Sequence, residues 1–102
     1  VQVPVPIEKI KALAERYGLC KVALFGSVLT KKFNRRSDID ILIEYDKSSD
    51  FGFFELAELE TEFAALFKGR KIDVRTVSEI SRHFRAEVLA GMEVIYEKNV
   101  KS

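Results

Sequence analysis

Five aspartates occur in the chain, and two of them form the run Asp38-Ile39-Asp40. The surrounding stretch, from Asp38 to Tyr45, alternates Ile39, Ile41 and Ile43 with more polar positions, as a strand rich in β-branched residues does. Side chains two apart on a strand leave the same face, so both carboxylates project together, with Cα atoms about 6.6 Å apart. Two carboxylates so placed can lean together and share divalent cations, which in phosphoryl-transfer sites sit about 3.5–4 Å apart. Without a cation the pair is unfavourable: like charges 4 Å apart repel by roughly 4 kcal/mol at an effective dielectric near 20. Two carboxylates solvated on an exposed face would also satisfy the sequence.

Two further places sharpen the choice. Phe25-Gly26-Ser27 ends an apolar run, Cys20 to Phe25, that reads as a buried strand. A glycine there lets backbone approach a ligand closely, and a serine after it can cap a helix and offer its hydroxyl to a phosphate. Gly-Ser is equally an ordinary turn. Asp73 lies between Ile72 and Val74 in a third predicted strand, Lys71 to Val77. An aspartate among apolar neighbours is costly unless paired or metal-bound. If this strand lies beside the second, Asp73 completes a cluster of three carboxylates; otherwise an ion pair with Arg75 or Lys71 accounts for it.

The elements that must position these groups are legible from spacing. Ile7, Ile10, Leu13, Ala14 and Tyr17 recur at helical intervals, with Pro6 suited to the first turn and Gly18 to the stop. After Ser27 a short helix and then a basic loop are expected. Asp46 to Asp50 is a polar loop whose end supplies an N-cap for a helix over 51–67, striped by Leu56, Leu59, Phe63, Leu66 and Phe67 and stopped by Gly69. Ser78 can cap a third helix running to about Ala90, with Gly91 as its stop, and Glu93 to Tyr96 closes as a fourth strand. The order is αβ(α)βαβαβ, an α/β (α+β) fold with a small mixed sheet and helices packed against it.

Composition bounds the rest. With 102 residues and 47% apolar content the chain is one domain with one modest core. Seventeen Lys and Arg balance 16 Asp and Glu, without the basic excess of a nonspecific nucleic-acid binder. The single cysteine, Cys20, precludes an internal disulfide or a cysteine-based zinc site and is expected to be a buried small apolar residue. No apolar run approaches the length of a membrane span, and the first residues lack a signal-peptide pattern, so a cytoplasmic location is expected. His83 has no acid or cysteine partner in sequence and is taken as structural. Phe51, Phe53 and Phe54 are expected in the core or at an interface, with some left exposed as a partner surface.

Together, Gly26-Ser27 followed after nine residues by Ser37-Asp38-Ile39-Asp40 resembles the signature of the DNA polymerase β-type nucleotidyltransferase superfamily. The stretches Lys71 to Thr76, Ser81 to Arg85 and Val94 to Tyr96 resemble the minimal nucleotidyltransferases within it, over about residues 7–96. The resemblance implies that residues 1–102 form one minimal nucleotidyltransferase domain, transferring AMP from ATP with two magnesium ions. It places Gly26 and Ser27 on the triphosphate, Asp38 and Asp40 on both metals, and Asp73 on the catalytic metal and the attacking hydroxyl. It further implies an antitoxin that modifies a tyrosine of a HEPN-type toxin, in a homo- or hetero-oligomer, without direct nucleic-acid or membrane binding. One departure stands out: Val28-Leu29-Thr30-Lys31 replaces the usual aromatic, Ala, Arg and Gly, so Thr30 stands where the family has arginine and Lys31, Lys32, Arg35 or Arg36 would supply the charge. That departure leaves a second expectation, a domain that neutralises its partner by docking alone.

Overall fold

A computed structural model of the chain describes residues 4–29, 37–46, 50–76 and 82–98. The first helix, α1 (Ile7–Tyr17), buries Ile10, Leu13 and Ala14, while Ile7, expected in the same stripe, is more than half exposed. Gly18 follows in the left-handed conformation, φ 69°, with its N–H directed at the carbonyls of Ala14 and Glu15. A side chain there would strain the turn that feeds directly into the first strand.

That strand, β1 (Leu19–Phe25), is central in a four-stranded sheet. It pairs antiparallel with β2 (Ile39–Tyr45) on one side and with β4 (Glu93–Glu97) on the other, and β3 (Ile72–Thr76) runs parallel to β2 at the outer edge. The sheet is therefore mixed, in the order β3-β2-β1-β4. A single 3₁₀ turn, Gly26–Leu29, follows β1 where a short helix was expected. The basic loop after it lies outside the described residues, as does Ser78, the expected cap of the third helix.

One face of the sheet is packed tightly. Val22, Leu24, Ile39, Ile41, Ile43, Ile72 and Val74 meet α1 and the second helix, α2 (Phe53–Leu66), through Ile10, Leu13, Leu59, Phe63 and Phe67. The opposite face has a far smaller cluster: Ala23 and Leu42, flanked by Phe25, Val88 and Met92, under the third helix, α3 (Arg82–Gly91).

Two expectations need correction. Helix α2 starts at Phe53 rather than Phe51, and Asp50 is not its cap. The N-cap is Gly52, whose N–H donates to Glu55 Oε1 at 2.9 Å. The carboxylate at the third helical position thus reaches back to the cap, and Phe51 is left outside the helix to stack on Tyr45, ring centroids 4.8 Å apart. Cys20 is half-buried rather than buried.

Candidate active site

The second face of the sheet is also where the acidic residues gather. Asp40 and Leu42 share a strand face, and β2 and β3 are in register so that Asp40 stands directly opposite Asp73. Asp38 lies just ahead of the strand, two residues from Asp40, on the same side. The segment before β3 holds this stretch in place. Ile39 N–H donates to the Lys71 carbonyl at 3.0 Å, and Arg70 Nη2 donates to the Ser37 carbonyl at 3.2 Å. Arg70 was not singled out from sequence: it lies 33 residues from Ser37, beyond any periodic signal.

The electrostatics agree with a shared acidic site. The Asp40 carboxyl titrates above the ordinary aspartate range, first because it is partly buried and then because Asp73 and Asp38 repel its negative form; Arg75 opposes the rise. Arg75 is drawn to the same place. Its Nε donates to Asp73 Oδ1 at 3.2 Å and Oδ2 at 3.3 Å. Asp73 is therefore ion-paired with Arg75, as one expectation had it, while standing opposite Asp40 in the register. No group of three Asp, Glu, His or Cys side chains among the described residues is drawn together as a finished metal cage.

Gly26 fits against this group. It pairs in space with the end of the strand carrying Asp40, since Phe25 is the register partner of Asp40. Its φ is +77°, and a Cβ placed on it would collide with the Asp40 carboxylate oxygen. Both the backbone conformation and the close approach require glycine. Ser27 is the second residue of the 3₁₀ turn that Gly26 opens, and its side chain, like that of His83, lies outside what is described.

A cleft of about 280 Å³ adjoins the glycine, lined by Phe25, Gly26, Leu29, Glu87, Val88 and Gly91. A larger one, about 510 Å³, lies elsewhere, between Pro4–Pro6 and the end of α2. It has no acidic lining residue and is bounded by Val5, Leu66 and Phe67 of the helix-covered core. The smaller cleft meets the aspartates only through Gly26, which stands against Asp40.

The geometry agrees with what known proteins show. A model of the polymerase beta nucleotidyltransferase family matches residues 8–101. The chain belongs to that family. Protein adenylyltransferase MntA of Thermococcus cleftensis is 30% identical over 86 residues, 84% of this chain and 82% of its own. A Methanocaldococcus jannaschii protein assigned as protein adenylyltransferase MJ1379 is 36% identical over 70 residues, 69% of each chain. Among solved structures, a toxin-antitoxin crystallised with AMP-PNP superposes with a TM-score of 0.72 at 21% identity, over 93% of this chain and 76% of that one. The mixed sheet with its helices is thus the nucleotidyltransferase fold expected from the motifs, and the chain is a nucleotidyltransferase domain. No helix among the described residues is long and apolar enough to cross a membrane.

Proposed function

We propose that this nucleotidyltransferase moves AMP from ATP to a protein hydroxyl, and that the acceptor is a tyrosine of a HEPN-type toxin that the domain neutralises as an antitoxin. The observation that carries the reading is the facing pair Asp40 and Asp73, with Gly26 stripped of a side chain against Asp40. Carboxylate oxygens are the donors that magnesium prefers, and a carboxyl raised above its usual range by burial, and then by its acidic neighbours, gains when a cation arrives. Asp38 and Asp40 would hold two magnesium ions, with Asp73 on the catalytic one. When bound, the ions neutralise the triphosphate and lower the cost of the developing charge on the attacking and leaving oxygens.

The chain's own groups do the rest. Gly26 and Ser27 bring backbone N–H groups, and in Ser27 a hydroxyl, to the triphosphate. Asp73 receives the proton of the acceptor hydroxyl, whose oxygen bonds to the α-phosphorus as pyrophosphate leaves. For that, Arg75 must release Asp73, and an arriving triphosphate is an anion able to draw the guanidinium away. The relatives named protein adenylyltransferase and the fold shared with a toxin-antitoxin structure support the protein acceptor and the toxin partner. Such chemistry suits the cytoplasm, where ATP and magnesium are at hand.

A second reading, neutralisation by docking alone, is favoured by one observation: Arg75 occupies both oxygens of Asp73. Labelled ATP and the purified toxin decide between them. Wild type should label the toxin with AMP in magnesium, and Asp38→Asn/Asp40→Asn should not. If the double variant protects cells as well as wild type, docking is the biological role and transfer is not.

A further inference from the structure

Helix α2 hides one side against the sheet and shows another that has no partner among the described residues. Phe53, Ala57, Thr61 and Ala65 stand four residues apart in one row, with Phe54 beside it, and all five are exposed. Phe53 is 91% and Phe54 84% exposed, although a phenylalanine loses roughly 1.5–3 kcal/mol of transfer free energy by staying in water. Thr61 does not make the row polar. Its hydroxyl donates back to the Ala57 carbonyl at 3.2 Å, which occupies the hydroxyl within the helix. The row extends about 18 Å along the helix and contains no charged residue.

Its borders are acidic. Asp50 and Glu55 flank the phenylalanines, and Glu58, Glu60 and Glu62 follow along the helix. Glu58 accepts a hydrogen bond from the Tyr17 hydroxyl at 3.1 Å, and Arg16 lies 3.8 Å from Glu62. Lys68 comes only after the helix has ended. The sequence of α2 from Phe53 to Leu66 carries four glutamates and no basic residue, so the helix surface beside the row is acidic.

We infer that this face of α2 is the docking surface for a helix of the protein partner, one with small or apolar residues along its seam and Lys or Arg on its flanks. The inference rests on the proposed partnership and adds where contact is made and what chemistry recognises it. Alanine and threonine along the row let a second helix approach closely, the two phenylalanines anchor one end, and the acidic borders select basic flanks. A second copy of the chain fits poorly, because α2 laid against α2 would set glutamate borders beside each other. The acidic cluster of Asp38, Asp40 and Asp73 sits on the sheet face away from α2, so docking here leaves the proposed site open to ATP.

Calorimetry of the full chain with its purified HEPN-type toxin tests this. Thr61→Arg and, separately, Phe54→Ala should each weaken toxin binding about tenfold or more, while magnesium–ATP binding and the melting temperature stay at wild-type values. Phe54 is almost wholly exposed, so its truncation tests the surface even if Thr61→Arg disturbs the helix. Glu58→Gln/Glu62→Gln should flatten the salt dependence of the wild-type complex. If wild type binds the toxin and both row variants bind equally well, the docking surface lies elsewhere and the proposed function stands. A wild type that does not bind the toxin removes the partnership and this surface with it. A wild-type dimer in light scattering that Thr61→Arg returns to monomer would assign the row to a second copy instead.

Discussion

The two faces of the sheet are built from the same strands by opposite rules. Under α1 and α2, alternate residues of β1, β2 and β3 are fully or nearly fully buried and wholly apolar. On the other face the apolar cluster shrinks to Ala23 and Leu42, and the positions around it belong to Asp40, Asp73 and Arg75. The period of two along a strand makes this division possible: Ile39, Ile41 and Ile43 go one way, Asp40 and Leu42 the other. Stability is thus concentrated on one face, and the other is free to hold charges that a core could not tolerate. The comparison predicts that substitutions on the first face cost folding and leave chemistry intact, whereas those on the second do the reverse.

The largest effects should come from the facing extremes. Phe63→Ala opens a cavity in the buried core and should cost about 3–5 kcal/mol in denaturant unfolding, with transfer activity per folded molecule unchanged. Asp40→Asn should abolish transfer and the stabilisation by magnesium–ATP, worth about 2.7 kcal/mol for wild type at one hundred times the dissociation constant. Its apo melting temperature should equal or exceed that of wild type, since it removes repulsion among Asp38, Asp40 and Asp73. An apo Asp40→Asn protein that unfolds as readily as Phe63→Ala would erase the distinction between the faces.

The same division explains what the sequence could and could not disclose. Alternating isoleucines announce a buried strand face, and the interleaved Asp38 and Asp40 announce the other, so the acidic pair was legible without coordinates. That Asp73 lies opposite Asp40 depended on which strands are neighbours, which the sequence left conditional. The start of α2 was misplaced because Asp50 and Glu55 both offer carboxylates for capping, and only tertiary contacts decide. Glu55 takes Gly52 while Phe51 is drawn to Tyr45. Ile7 satisfied the helical period yet lies at the helix start, beyond the sheet's cover. Arg70 on the Ser37 carbonyl had no signal at all, because a side chain bonding a distant backbone leaves no pattern in residue types.

Gly26→Ala probes the seam between strand end and carboxylate. The new Cβ meets Asp40 and must adopt a positive φ, so the melting temperature should fall by the equivalent of roughly 1–2 kcal/mol while transfer falls further. Equal activity in Gly26→Ala and wild type would show that close backbone approach is not needed. Arg75→Gln is expected to act more gently. It leaves the fold intact, as an exposed ion pair contributes about 0–1 kcal/mol, and it frees Asp73. Magnesium should then bind more tightly in the absence of ATP; weaker binding would mean that Arg75 assists the site rather than guarding it.

The smallest effect is a pH dependence in the absence of metal. The Asp40 carboxyl is raised in the folded chain above its unfolded value, which is about 3.9 for an unperturbed aspartate. The folded state therefore holds that proton more tightly. The stabilising contribution of the protonated group is complete below the unfolded value and is lost as pH rises through the raised folded one. At neutral pH Asp40 is a liability that Asp40→Asn lacks, so the variant should melt at or above wild type there. The two melting curves should converge as pH falls below the ordinary aspartate range, where both side chains are neutral. Saturating magnesium should abolish the neutral-pH advantage of the variant by stabilising wild type alone. A difference that grows toward acid would mean that Asp40 is held below its usual range in solution, as by Arg75, and that repulsion from Asp38 and Asp73 does not govern the site.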